Sequence, residues 1–395
     1  MRKHEFLFTS ESVSEGHPDK VCDQIADAIL DECLKLDKWA HVACEVFATE
    51  EYILIGGEIT LNCKQKPDYE KIARDTLRKI GYVSPILGIG CDTCKIDIRV
   101  NTQSGDIARG VKHEDLLNMG AGDQGIMFGY ATNESSGYMP LPLTIAHKLV
   151  RTATSLRKEG KFVHARPDMK SQVTIDYTDP ENIRIKTILM SIQHDEEADM
   201  DEFKKYVHEQ IMIPVAASFN LNTGFSYLIN PTGRFVIGGP KGDTGLTGRK
   251  LIVDTYGGSS RHGGGSFSGK DPSKVDRSAS YYARYIAKNL VAAGAADRLE
   301  IQLSYAIGVS NPMSISLSTF GTSHYEDEVI LNAIDTYFDA RPGAIISNFK
   351  LNEPTWKYAD ICNYGAFGRP DVSLPWEKLD KVGELKEFFL KYKKH

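Results

Sequence analysis

Three helix-forming segments recur along the chain at intervals of about 125–130 residues, each opening on a proline. The first covers residues 18–36, with Val21, Ile25, Ile29 and Cys33 on one face. The second starts at Pro142 and carries Ile145, Leu149 and Leu156; the third starts at Pro272 and carries Val275, Ala279, Tyr282, Ile286 and Ala293. Proline suits the first helical position, where its missing N–H has no helical partner, and Asp271 is placed to cap the third helix. Each helix is followed by two alternating, β-branched segments and then a further helix: 42–47, 52–60 and 68–80; 172–177, 183–192 and 199–211; 299–307, 313–320 and 325–339. The order helix, hairpin, helix argues against a doubly wound parallel sheet. It predicts an α/β fold of the α+β type: three similar units, each a mostly antiparallel sheet covered by helices on one face and bare on the other. The units are expected at 1–105, 114–232 and 233–375, interleaved in space.

Composition narrows the class. With 395 residues, 41% hydrophobic and 25% charged, the chain is neither disordered nor a disulfide scaffold. A net charge of −6 leaves no global basic field for nucleic acid. No apolar run reaches the 18 or so residues of a membrane span, and the first residues lack the apolar stretch of a secretory signal. Seven cysteines without framework spacing fit reduced thiols in a cytoplasmic protein. The pair Cys91 and Cys94 lacks the second pair that a zinc site needs, and reads as partly buried thiols in a strand region.

Four stretches carry chemistry. Gly120-Ala121-Gly122-Asp123-Gln124-Gly125 matches a dinucleotide fingerprint, but a polar segment precedes it and an extended one follows, so it reads as a tight loop presenting Asp123. Gly264 to Asp271 nearly matches a phosphate loop, with Asp271 where a magnesium-binding hydroxyl belongs. Glycines leading into a helix still offer amides to an anion, and Lys270 and Lys274 are read one helical turn apart at that end. Cations there are unfavourable unless an anion is near. Asp243 to Lys250 adds Arg249 and Lys250, and Arg166 and Lys170 flank Asp168. Three glycine-framed basic patches with few aromatics point to a polyphosphate rather than single-stranded nucleic acid. Finally, Gly16-His17-Pro18-Asp19-Lys20 opens the first helix, where Asp19 suits a magnesium ion shared with phosphate, and Asp276 could add a second contact. Asp23, Asp27 and Asp31 continue from Asp19 at four-residue spacing and read as a solvated acidic face.

With residues 8–15 (Phe8-Thr9-Ser10-Glu11-Ser12-Val13-Ser14-Glu15), these motifs closely resemble the S-adenosylmethionine synthetase family, from about Phe6 to beyond Trp376. The resemblance implies a pseudo-threefold fold and a reaction: methionine sulfur attacks the 5′ carbon of ATP, displaces triphosphate, and the triphosphate is cleaved to pyrophosphate and phosphate. It implies that His17 sits near the bridging oxygen, that Lys170, Arg249, Lys250 and Lys270 hold the triphosphate, and that Asp123 contacts substrate. It assigns Asp168, Arg234, Phe235, Asp243 and Ser266 to ATP, with Phe235 against adenine, and Glu58, Gln103, Asp243 and Lys274 to methionine. It makes Asp19 and Asp276 magnesium ligands (two Mg2+ per site) and Glu45 the potassium ligand (one K+ per site). It also implies a gating loop from Gln103 to about His113, which departs from the family pattern around Gly105 and Lys112, and a homodimer or homotetramer with active sites between subunits. No nucleic-acid or membrane partner is expected. Three rival readings remain: an ATP-dependent kinase or ligase giving ADP or AMP, a non-catalytic regulatory subunit, and a nicotinamide oxidoreductase.

Overall fold

Alternation of apolar residues and well-placed caps build most elements where the sequence puts them. The computed structural model describes residues 4–102 and 116–392. In chain order these hold β1 (Leu7–Val13), α1 (Pro18–Leu36), β2 (His41–Thr49), β3 (Tyr52–Thr60), α2 (Tyr69–Ile80), β4 (Lys95–Asn101), β5 (Gly125–Thr132), α3 (Leu141–Lys158), β6 (Ala165–Asp176), β7 (Arg184–His194), α4 (Met200–Tyr206), β8 (Ser226–Ile229), β9 (Gly245–Leu246), α5 (Val275–Ala292), β10 (Arg298–Tyr305), β11 (Ser314–Ser318), α6 (Asp327–Tyr337), α7 (Pro342–Phe349) and α8 (Val382–Leu390), with shorter turns between.

The main strands form three sheets, ordered β9-β2-β3-β4, β1-β6-β7-β8 and β11-β10-β5. Pairing is antiparallel except for β3 with β4 and β7 with β8. Each sheet borrows a strand from a distant part of the chain. β1 joins the sheet of β6 and β7, β5 joins that of β10 and β11, and β9 joins that of β2 and β3. One apolar core joins α1, β2, β3, β5, α5 and β10; a second lies under α3, β6 and β7. No described helix is long and apolar enough to cross a membrane.

Three elements differ from the sequence reading. The third proline-led helix begins at Val275, three residues later than expected, with Lys274 as its N-cap. Asp271 does cap, but in the turn before the helix: it accepts from Ser273 N–H at 2.9 Å and from Val42 N–H at 2.7 Å, and the second bond ties the turn to β2. β6 begins at Ala165 rather than Gln172, because Ser14 holds Met169 by reciprocal bonds and extends the ladder past a bulge. That extension places Asp168 and Lys170. The helix after β7 runs on from α4 through a π turn at Val207–Met212 into Ile213–Ser218, a geometry that accommodates Pro214. Cys91 and Cys94, expected partly buried in a strand region, are fully buried in a turn.

Candidate active site

The first charged group forms where α1 begins. His17 has extended N-cap geometry, and its Nδ1 accepts the Asp19 N–H at 3.2 Å. A neutral ring that accepts at Nδ1 carries its proton on Nε2. Burial drives the imidazole well below its usual range, with the Lys250 ammonium adding to the effect, so the ring is neutral near pH 7. Asp19 is also buried; its Oδ2 lies 2.6 Å from Lys250 Nζ, its Oδ1 accepts from Leu246 N–H at 3.0 Å, and Arg249 Nε lies 3.6 Å from Oδ1. Burial opposes the Asp19 charge, but the Lys250 ammonium and that N–H hold the carboxyl below its usual range.

β6 brings Asp168 and Lys170 to this group. Lys170 is exposed, in register with Val13 of β1 and Ser191 of β7. Asp168 is buried; Oδ2 accepts from Gly239 N–H at 2.9 Å, and Oδ1 has no hydrogen-bond partner. Burial pushes its carboxyl up to about 6, against the Gly239 N–H and the nearby Lys170. The segment leading to Gly239 is laced to the end of β7. Phe235 N–H donates to His194 Nε2 at 2.9 Å, His194 N–H donates to the Phe235 carbonyl at 3.0 Å, and Gln193 Nε2 donates to the Val236 carbonyl at 3.0 Å. Half-buried Phe235 is held there, exposed Arg234 donates to the Glu196 carbonyl at 2.9 Å, and the Asp168 carboxyl feels the charge of exposed Asp243.

The second group forms at the turn before α5. Lys270 Nζ pairs with Asp276 at 2.8 Å and Lys274 Nζ with Asp271 at 2.6 Å. Lys270 and Lys274 do not lie one helical turn apart, contrary to expectation: Lys274 is the N-cap of α5, and the Lys270 backbone bridges Ala43 of β2, whose other neighbour is Glu58 of β3. Glu58 and Glu45 are exposed on that sheet. The glycine hexapeptide packs here as a loop entering β5, without the strand-loop-helix order of a dinucleotide site. Gly122 N–H donates to the Ser273 carbonyl at 3.3 Å, and a Cβ on Gly125 would lie 3.4 Å from an Asp276 oxygen. Exposed Asp123 turns back to accept from Gln124 N–H at 2.7 Å. A Cβ on Gly265 would fall 2.1 Å from Asp276 Oδ1, so a side chain there would have to push the carboxylate aside. Half-buried Ser266 lies against Gly248, where the two groups' loops meet.

The acidic stripe of α1 is not a solvated face. Asp23 and Asp27 are fully buried and Asp31 is 8% exposed. The rungs accept backbone N–H groups from three returning segments: Asp19 from Leu246 and Asp23 from Gly248 in one, Asp27 from Gly269 in the next, and Asp31 from Tyr358 and Ala359 in the last. Amides that no strand or helix satisfies need such acceptors when buried. Lys20, also fully buried, is gripped by Asp23 at 2.9 Å, by Asp254 and by the Cys362 carbonyl. Burial works against its charge, yet the two carboxylates hold the Lys20 ammonium above its usual range.

Three family descriptions match the chain in tandem: S-adenosylmethionine synthetase N-terminal domain at residues 5–105, central domain at 118–235 and C-terminal domain at 237–378. The chain belongs to the S-adenosylmethionine synthetase family. It is 63% identical over 387 residues to the S-adenosylmethionine synthase of Mesoplasma florum, covering 98% of this chain and 100% of that protein. It is 62% identical to that of Mycoplasma capricolum (97% of each chain) and 52% identical to that of Clostridium botulinum (97% of this chain, 99% of that protein).

Within this synthetase fold the structure adds partners that sequence reading missed. Tyr82, fully buried, donates its hydroxyl to the Gly16 carbonyl at 2.5 Å and so fixes the approach to His17. Arg277, Asp254 and the acceptor roles of Asp23 and Asp27 were likewise hidden, because each partner lies more than two hundred residues away. Gln103 and the expected gating loop to His113 lie outside the described residues. Among the described residues no three His, Cys, Asp or Glu side chains gather to hold a metal. Instead Asp19 and Asp276 each hold one lysine ammonium through hard carboxylate oxygens. That donor set fits magnesium arriving with a nucleotide, which needs one or two carboxylates besides phosphate and water.

Proposed function

We propose that this chain forms S-adenosylmethionine from ATP, L-methionine and water, releasing phosphate and pyrophosphate. The observation that carries the reading is the neutral, buried His17 at the mouth of α1, framed by Lys250, Arg249, Lys170 and the unpartnered Asp168 oxygen. In the first step a sulfur–carbon bond forms at C5′ as the carbon–oxygen bond breaks, and the electron pair leaves on the triphosphate. A thioether has no proton to lose, so no base is needed. The barrier falls if donors are preorganised where negative charge develops. His17 Nε2–H donates to the bridging oxygen, and Lys170, Arg249, Lys250 and Lys270 take the triphosphate charge. Asp168 Oδ1 accepts from the nucleoside, Arg234, Phe235 and Ser266 bind the rest of ATP with the Phe235 ring on adenine, and Asp243 reaches both substrates. Glu58, Lys274 and Gln103 orient methionine for in-line attack, with Asp123 at the substrate edge. Water then cleaves the held triphosphate.

Asp19 and Asp276 would hold two magnesium ions and Glu45 one potassium ion; bound, they neutralise phosphate charge. The His17 group and the Lys270 group each make half a site, completed by a second subunit in a homodimer or a tetramer of dimers. The three units 1–105, 114–232 and 233–375 and a cytoplasmic location belong to the same proposal.

The test is a product assay with ATP, methionine, magnesium and potassium, resolved by mass spectrometry and phosphate release. A sulfonium product with equal phosphate and pyrophosphate is expected, and Lys270→Ala should cost about 10²–10³ in rate. ADP or AMP as product would turn the reading to a kinase or ligase; no turnover despite ATP binding would turn it to a regulatory subunit.

A further inference from the structure

The third rung of the α1 ladder does more than satisfy an amide. Asp27 Oδ1 accepts from Gly269 N–H at 2.9 Å and from Arg277 Nη1 at 2.7 Å, while Oδ2 accepts from Arg277 Nη2 at 2.8 Å. The same Nη1 also donates to the Lys270 carbonyl at 3.1 Å. One ion pair therefore holds the N–H before Lys270 and the C=O after its Cα. We propose that Asp27 and Arg277 are positioning residues that fix the root of the Lys270 side chain and thereby aim its ammonium at the triphosphate. The inference rests on the reading of Lys270 as a triphosphate cation.

The surroundings leave the clamp no slack. Arg277 and Asp27 are 1% and 0% exposed. The guanidinium stacks on the Tyr358 ring, 4.3 Å from its centroid, and Nε donates to the Tyr281 hydroxyl at 3.0 Å. On the opposite side the Cys44 N–H donates to the Gly269 carbonyl at 2.9 Å. Gly269 itself has φ +79°, and a Cβ there would fall 2.0 Å from the Cys44 carbonyl oxygen, so only glycine fits between Asp27 and β2. Neither clamp residue pairs with the Lys270 ammonium, which goes to Asp276.

Stability alone does not explain the pair. Two buried charges in water-free packing are commonly no more stabilising than apolar side chains of similar volume. An apolar pair, however, could not hold an N–H and a C=O of one loop together. Lysine could not replace Arg277 either, because a single ammonium lacks the planar fork that meets two carboxylate oxygens and a carbonyl at once.

The test is Arg277→Lys and Asp27→Asn, each alone and combined with Lys270→Ala. Two rates are read with substrates saturating: S-adenosylmethionine formation and hydrolysis of added inorganic tripolyphosphate. Arg277→Lys alone should lower both kcat values by about 10–10²-fold, the cost of a misplaced group, with the methionine KM unchanged. In the Lys270→Ala background the further loss should shrink to less than about 3-fold, because residues acting through one group are not additive. Losses that multiply in the double variant, or an unchanged kcat in Arg277→Lys, overturn the proposal. Thermal unfolding of each variant shows that the rates are read on folded protein. If Arg277→Lys does not fold, Asp27→Asn, which keeps an acceptor for Gly269 N–H, carries the same comparison. An unchanged rate in Lys270→Ala alone would overturn the triphosphate assignment itself, a failure distinct from that of the clamp.

Discussion

His147 shows how one buried side chain ties this protein's stability to pH. It lies on α3, with Nδ1 2.7 Å from Ser12 Oγ and Nε2 without a partner. Burial pushes its imidazole from 6.5 down to about 3, with the Arg369 charge second. Between those values the unfolded chain binds a proton that the folded chain refuses. The stabilisation is therefore complete above 6.5 and is lost as pH falls, by about 1.4 kcal/mol per unit. Asp31 acts in the opposite sense. Burial raises its carboxyl from 3.8 to about 7, so its contribution is complete below 3.8 and lost as pH rises through that range. A variant isolates the histidine: His147→Asn keeps a polar atom for Ser12 and does not titrate. Urea midpoints taken across about one pH unit below 6.5 should fall more steeply for the parent than for the variant. Equal slopes would remove His147 from the acid response. The aspartates of α1 mark the limit of reading at this scale. Their four-residue spacing is plain in the sequence, but an acidic stripe looks the same whether it faces water or the amides of distant glycine loops. Only the chain's return at Gly248, Gly269 and Tyr358 decides between them.

Among the elements, α5 departs furthest from its pattern. Its apolar positions recur as on a one-sided helix, yet Arg277, Arg284 and Lys288 are buried too. Each buried cation is paired with a carboxylate: Arg284 and Lys288 share Glu377, at 3.0 and 2.7 Å, and Arg277 takes Asp27. Helix period alone reads charge as exposure, so a helix buried on nearly all sides, with its own cations paired, looks amphipathic. The three hairpins, in contrast, were legible, because alternation and turn residues are local. The late start of α5 and the early start of β6 were not, because both depend on bonds to other elements. Close packing of α5 on β5 gives the prediction at this scale. A Cβ on Gly129 would fall 2.0 Å from the Ala283 carbonyl oxygen on α5. Gly129→Ala must push helix from sheet, and should cost about 1–3 kcal/mol, as overpacking does. The check is chemical denaturation beside Gly224→Ala, where the added methyl meets nothing and, as at Gly129, the backbone is not left-handed, so the difference between the two variants isolates the packing. Equal losses would deny the contact.

Over the whole chain, strand exchange closes a circuit: β1 into the middle sheet, β5 into the last, β9 into the first. No local pattern announces this, since exchanged strands look like any others. The circuit determines where the charged groups lie, because β9 carries the Arg249–Lys250 loop onto the start of α1 while Lys270 bridges β2. If each active site joins the His17 group of one subunit to the Lys270 group of another, defects in the two groups must complement. Lys250→Ala and Lys270→Ala are each expected to lose about 10²–10³ in rate as pure proteins. Co-expressed with distinct tags and isolated as the mixed dimer, one site would draw its His17 group from the Lys270→Ala chain and its Lys270 group from the Lys250→Ala chain. That site carries no substitution, whereas the other carries both. Activity should return to about half the parental value per dimer, far above either parent variant. If both groups serve one site within a chain, every site in the mixed dimer keeps one defect and no activity returns. Light scattering of the parent at micromolar concentration sets the ground for the experiment: a homogeneous monomer would exclude a shared site outright.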